Sequence, residues 1–162
     1  MNEREFHRYL QSHAAGADVA LAVATRLAGK HAGTDVGTVL HTLAEDIRSE
    51  QQVVRDALER LPLQPDLLRR IFGVLGAAGR LAGSLPLVPE PSLVEDLEAL
   101  AVGVWGKRLL WGALARVAES EGGFDGVDLD ALAAKAEDQE REILRLRQDA
   151  LSEVFDLMEH PV

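Results

Sequence analysis

Apolar residues recur along this chain at steps of three and four, and no stretch keeps up the period of two that a half-buried strand needs. Four breaks interrupt the pattern: Gly29 to Thr34, Pro62 to Pro65, Pro86 to Pro91 and Glu121 to Gly126. Five segments remain, and each predicts a helix. The first covers about Glu3 to Ala28, with Asn2 as cap and a stripe through Phe6, Leu10, His13, Ala17, Leu21, Ala24 and Leu27. The second starts after Thr34, an expected N-cap, and ends at Leu61. Its seam is Val36, Leu40, Leu43, Ile47, Val54, Leu58 and Leu61, with Glu50 set in the middle. The third opens with Pro65 at its first position and Asp66 at the positive end of the dipole, and it stops before Pro86.

Ser92 and Glu95 spell a capping box for the fourth helix, whose stripe is Leu97, Leu100, Val104, Trp111, Leu114 and Ala118. Lys107 or Arg108 fills the slot between Val104 and Trp111. Val102, Trp105, Leu109 and Ala113 form a second stripe beside the first. Asp128 caps the fifth helix. Its seam runs Leu129, Leu132, Ala136, Gln139, Ile143, Leu146, Ala150, Val154 and Leu157, opposite a face of alternating charge. Four of the five helices are long, about 40 Å each at 1.5 Å per residue. Matched helices with one apolar stripe bury it most simply as a bundle. The short first and last connections make those helix pairs antiparallel. Residues 62–91 are enough chain to cross the bundle, leaving the second and fourth helices free to run parallel.

Composition sharpens this picture. Ala, Leu, Glu, Lys and Arg make up about half of the 162 residues, the usage of long helices. Hydrophobic residues are 47%, enough to close a core in one domain, residues 1–162. Without cysteine there is no disulfide scaffold, thiolate nucleophile or Cys-ligated metal. A net charge of −10 argues against nucleic acid, whose binding draws on Lys and Arg at phosphates. The chain opens MNEREFHRYL without a secretory signature, so the expected location is the cytoplasm.

Two hairpins joined by a long crossover resemble the ferritin-like superfamily, with helices one, two, four and five as the four-helix bundle and the shorter third helix in the crossover. LEALAVGVWGKRLLW from Leu97 to Trp111 and VDLDALAAKAEDQ from Val127 to Gln139 are similar to a family of small helical bacterial proteins of uncharacterised activity. The resemblance implies a fold and supplies no reaction. Di-iron members place a Glu on two helices and a Glu-x-x-His on two others. Here mid-helix one holds Ala17, Ala20, Leu21 and Ala24. Glu50 is followed by Val53 where a histidine belongs, Lys107 and Arg108 stand in place of a carboxylate, and Glu140 is followed by Ile143. At most two of six ligands are present. No di-iron chemistry, and no cofactor, is expected.

The residues that break the stripes near their midpoints are Glu50, Lys107 or Arg108, and Gln139 with Glu140. In one reading Glu50 and one of the two bases meet inside the bundle, with Gln139 or Glu140 completing the network. In the other, the bases snorkel outward and Glu50 flanks the seam. A carboxylate held beside a base is a poor general base near neutral pH, so neither reading gives a catalytic residue. His41 and Glu45 sit at i,i+4, a two-ligand fragment without a third. His13 is expected at the core edge, holding a hydrogen bond. Glycines 73, 76, 79 and 83 weaken the third helix, which then serves as a close-packed cover or as a mobile lid over a ligand cavity.

The expected function is non-catalytic binding or assembly. The partner is an unidentified protein or small apolar ligand, and a homodimer forms through Val102, Trp105 and Leu109. One rival is a metal-binding protein or metalloenzyme built on His41, Glu45 and Glu50. The other is a peripheral membrane adaptor acting through the third helix, though one central Arg80, four glycines and Pro86 disfavour insertion.

Overall fold

The computed structural model describes residues 3–60, 91–122 and 124–159. Four α-helices account for nearly all of them: α1 (Glu3–Lys30), α2 (Asp35–Arg60), α3 (Leu93–Glu121) and α4 (Leu129–Glu159). No strand occurs among the described residues. The third helix expected at Pro65 to Leu85, with its glycines and its membrane reading, lies outside them, as do Asn2 and His160. No described helix is long and apolar enough to cross a membrane.

Local chemistry sets the helix ends. Thr34 Oγ1 accepts from the Gly37 amide at 3.2 Å and so caps α2. Gly33 makes the preceding turn with φ of 82°. Gly37 is buried beneath that turn, where any Cβ would collide with the His31 carbonyl. At α3, Ser92 Oγ accepts from the Glu95 amide at 3.2 Å while the Glu95 carboxylate accepts from the Ser92 amide at 2.8 Å, completing the capping box. Asp128 caps α4 by accepting from the Ala131 amide at 2.8 Å. Ser92→Ala should cost about 1 kcal/mol, read as a lower urea midpoint with unchanged m-value. No change in the midpoint would mean that the box is dispensable.

Side-chain pairs give the directions of the helices. Along α1 the residues facing α3 descend in number as those of α1 rise: Arg26 meets Asp96, whereas His13 lies beside Gly106. The two helices are therefore antiparallel. The Thr25–Arg48 and Asp18–Gln51 pairs make α1 and α2 antiparallel as well, so α2 and α3 run parallel. Arg147–Glu98 and Lys107–Gln139 set α4 against α3, and Arg145–Asp35 and Lys135–Asp46 set it against α2. Each helix thus flanks two antiparallel neighbours, and the chain runs up, down, down and up.

The stripes close on one core of Leu10, Ala24, Leu27, Leu40, Leu43, Ile47, Leu97, Leu100, Val104, Trp111, Leu114, Ile143 and Leu146. Two expectations need correction. Val154 is 46% exposed rather than in the seam, because the α3–α4 register places it level with Ser92, past the start of α3. His13 is half-buried but accepts and donates no hydrogen bond among the described residues; its ring meets Tyr9 edge-on at 4.4 Å.

Candidate functional site

Midway along the bundle, Glu50 occupies a seam position of α2, between Ile47 and Val54, and is 4% exposed. The base that meets it is Lys107. Its Nζ lies 2.6 Å from Glu50 Oε2 and donates to Gln139 Oε1 at 2.5 Å. Gln139 in turn donates to Asp46 Oδ2 at 2.7 Å, and Lys135 donates to Asp46 Oδ1 at 2.6 Å. Two carboxylates, two ammoniums and one amide therefore form a charge-balanced network joining α2, α3 and α4. Arg108 and Glu140 stay on its flank, 3.8 Å apart and half-buried.

Sequence reasoning named Glu50, Lys107 and Gln139 and missed Asp46 and Lys135. Each missed residue lies four positions before a named one, Asp46 before Glu50 and Lys135 before Gln139. That is one helical turn along the same face, a signal present in the sequence.

The network is tight but incompletely satisfied. Lys107 Nζ satisfies Glu50 Oε2, but among the described residues no donor comes within hydrogen-bond distance of Oε1, where Lys135 Nζ stands 3.9 Å away. Burial raises the Glu50 carboxyl above its ordinary pKa, opposed by the attraction of Lys107 and Lys135. Burial likewise lowers the Lys107 ammonium below its ordinary value, opposed by Glu50 and Asp46. In both groups desolvation is the larger influence, so ionising the pair inside the bundle costs stability.

The sign of the pH effect follows. A carboxyl whose pKa is higher folded than unfolded stabilises the fold below its unfolded value of 4.5, and that contribution is lost as pH rises through the folded value. Compared with Glu50→Leu/Lys107→Met, the wild type should gain stability as pH falls from 7 toward 4.5. Paired urea titrations that return a constant difference across that range would contradict the raised pKa.

The residues do not fit a di-iron centre, because the Lys107 ammonium sits 2.6 Å from Glu50, the carboxylate buried at mid-bundle. Nor do His41, Glu45 and Glu50 converge. His41 Nε2 lies 3.4 Å from Glu45 Oε1 on an open face, with both side chains about two-thirds exposed, while Glu50 points into the core. Among the described residues no group of three His, Asp or Glu side chains is placed to hold a metal ion.

Beside the network, a cleft of about 230 Å³ opens between α1, α2 and α3. Leu10, Ala17, Ala20, Ile47, Val54 and Leu110 give it apolar walls, and Glu50, Lys107 and Trp111 also line it. The Trp111 indole is 1% exposed, and its N–H has no acceptor among the described residues. His13 lies along the cleft, and burial lowers its pKa, which favours the neutral imidazole. Such a space takes up a small molecule by apolar contact while offering a few polar groups that orient it. A second ion pair, with only its carboxylate buried, lies toward the other end of α1. Asp96 is 5% exposed and accepts two hydrogen bonds from Arg26 Nη2, at 2.8 and 2.7 Å. It fastens α1 to α3 and does not touch the cleft. No family model, curated protein or solved structure matches the chain.

Proposed function

We propose that this chain is a non-catalytic binding protein, a ferritin-like bundle in which an ion-pair network stands where metal-bearing relatives keep their ligands. Its cleft would hold a small apolar molecule. The kinship in fold is supported by the up, down, down, up order and by the long segment between the parallel α2 and α3. The binding reading is carried by one observation: a cleft of about 230 Å³ next to the Glu50–Lys107 pair, walled mainly by aliphatic side chains.

A second reading, self-assembly, is supported by α3. Val102, Trp105 and Leu109 are 68, 47 and 46% exposed on a face turned away from the core. Large apolar residues clustered on one helix face favour a partner surface, and a second copy would cover them.

Native mass spectrometry of gently purified protein tests both readings together. Expected are a co-purifying small organic molecule, a species at twice 17.6 kDa, and no stoichiometric metal. Stoichiometric iron, manganese or zinc would overturn the binding reading in favour of a metalloprotein. Only monomer at micromolar concentration would remove the assembly reading.

A further inference from the structure

We propose that two copies of this chain join through the outer face of α3 in antiparallel register, about a two-fold axis level with position 107. The inference rests on the self-assembly reading above and adds the geometry of the interface.

The spacing of the exposed positions comes first. Residues 98, 102, 105, 109, 112 and 116 follow one another along α3 at alternating steps of four and three, and all are exposed. Such steps make a coiled-coil seam, a stripe that stays turned toward a second helix. It is separate from the stripe of Leu97, Leu100, Val104, Trp111 and Leu114, which faces the chain's own core. From 98 to 116 the seam covers about 27 Å at 1.5 Å per residue. The steps are the same from either end, so reversing the helix about position 107 lays the seam on itself. A two-fold interface demands that self-matching: where one residue meets another, the second meets the first.

The side chains fit the register. Trp105 falls opposite the partner's Leu109, and Val102 opposite the partner's Gly112. Val102, Trp105 and Leu109 each keep close to half or more of their surface in water, so each has apolar area left to cover. A Cβ added at Gly112 would meet nothing within 4 Å, so nothing among the described residues requires a glycine there. Glycine inside a helix costs stability, and its bare backbone leaves depth for a valine from outside.

Charge then chooses the direction. Glu98 at one end of the seam meets the partner's Arg116 at the other, twice by symmetry. Arg116 is exposed and has no ion pair or hydrogen bond among the described residues. Both Arg147 contacts to Glu98 fall on Oε1, at 2.6 and 2.7 Å, which leaves Oε2 for a second base. A parallel pair would instead set Glu98 against Glu98 and Arg116 against Arg116, like charges face to face. One turn further out, Glu95 and Glu119 come opposite each other near the ends of α3, both exposed where water and salt screen them.

Analytical ultracentrifugation of the full chain and its variants tests the register. Arg116→Glu turns both attractive pairs into like-charge contacts and should weaken the dimer at least about tenfold, with the thermal midpoint of folding unchanged. Glu98→Lys/Arg116→Glu restores opposite charges and should return the dimer to within about threefold of the wild type. A second measurement serves should the double variant misfold. The chain has no cysteine, so Ala99→Cys takes a single spin label. Antiparallel helices put the two labelled positions about 24 Å apart along the axis, whereas parallel ones put them within about 10 Å. Trp105→Glu should abolish the dimer in either direction. A dimer lost in Trp105→Glu but indifferent to Arg116→Glu, unrescued in a folded double variant, or labelled at the short distance would overturn the register and leave assembly standing. A dimer that survives Trp105→Glu, or monomer alone as expected where a different partner owns this face, would overturn both.

Discussion

Lys107→Met alone should lower the free energy of unfolding by about 3–5 kcal/mol, the usual consequence of leaving a buried charge without its partner. The Lys107 side chain is 14% exposed and that of Glu50 is 4% exposed, so water cannot replace the missing ammonium. Two further losses come with it: Gln139 Oε1 loses its donor, and Asp46 loses a nearby positive charge. Methionine keeps most of the volume, so a cavity contributes little. Urea denaturation followed by circular dichroism would read the change. A loss below about 1 kcal/mol would be the behaviour of an exposed pair and would place the ammonium in water.

Trp111→Ala should cost about 3–5 kcal/mol, because it removes the largest fully buried side chain from the centre of α3. The indole packs among core residues on one side and lines the cleft on the other, so the void would merge with existing space and relax poorly. Trp111→Phe separates packing from polarity. Phenylalanine keeps an aromatic body and deletes an N–H that has no acceptor among the described residues, so its stability loss should fall well short of alanine's. Comparable losses for the two variants would show that the N–H, rather than the ring, stabilises the bundle.

The four described helices and the caps of three of them were legible because they depend on neighbours in the sequence. Thr34, the Ser92–Glu95 box and Asp128 act within three residues of themselves. Glu50 was legible for the same reason: a lone carboxylate between Ile47 and Val54 leaves the seam no other face to present. The choice between Lys107 and Arg108 was not. Adjacent residues differ by about 100° around a helix, and long side chains reach across that angle, so the choice depends on where α2 and α4 stand.

Arg26–Asp96 was hidden for a different reason. Its partners lie seventy residues apart on helices joined through the crossover, and Asp96 sits in the first turn of α3, where an acidic residue needs no further explanation. The cleft was equally hidden, since it is a gap between three helices rather than a property of any one. Its traces, Gly103, Gly106, Ala17 and Ala20, read equally well as close packing. Only the spacing of the backbones distinguishes the two.

The central claim is that Glu50 and Lys107 hold one another inside the bundle, and a double-mutant cycle between these two positions tests it most directly. Each single variant, Glu50→Leu or Lys107→Met, should be strongly destabilised, while the double variant returns to within about 1 kcal/mol of the wild type or exceeds it. Single losses that add to within about 0.5 kcal/mol in the double variant would show that the two side chains do not interact, and the account of the interior would be wrong.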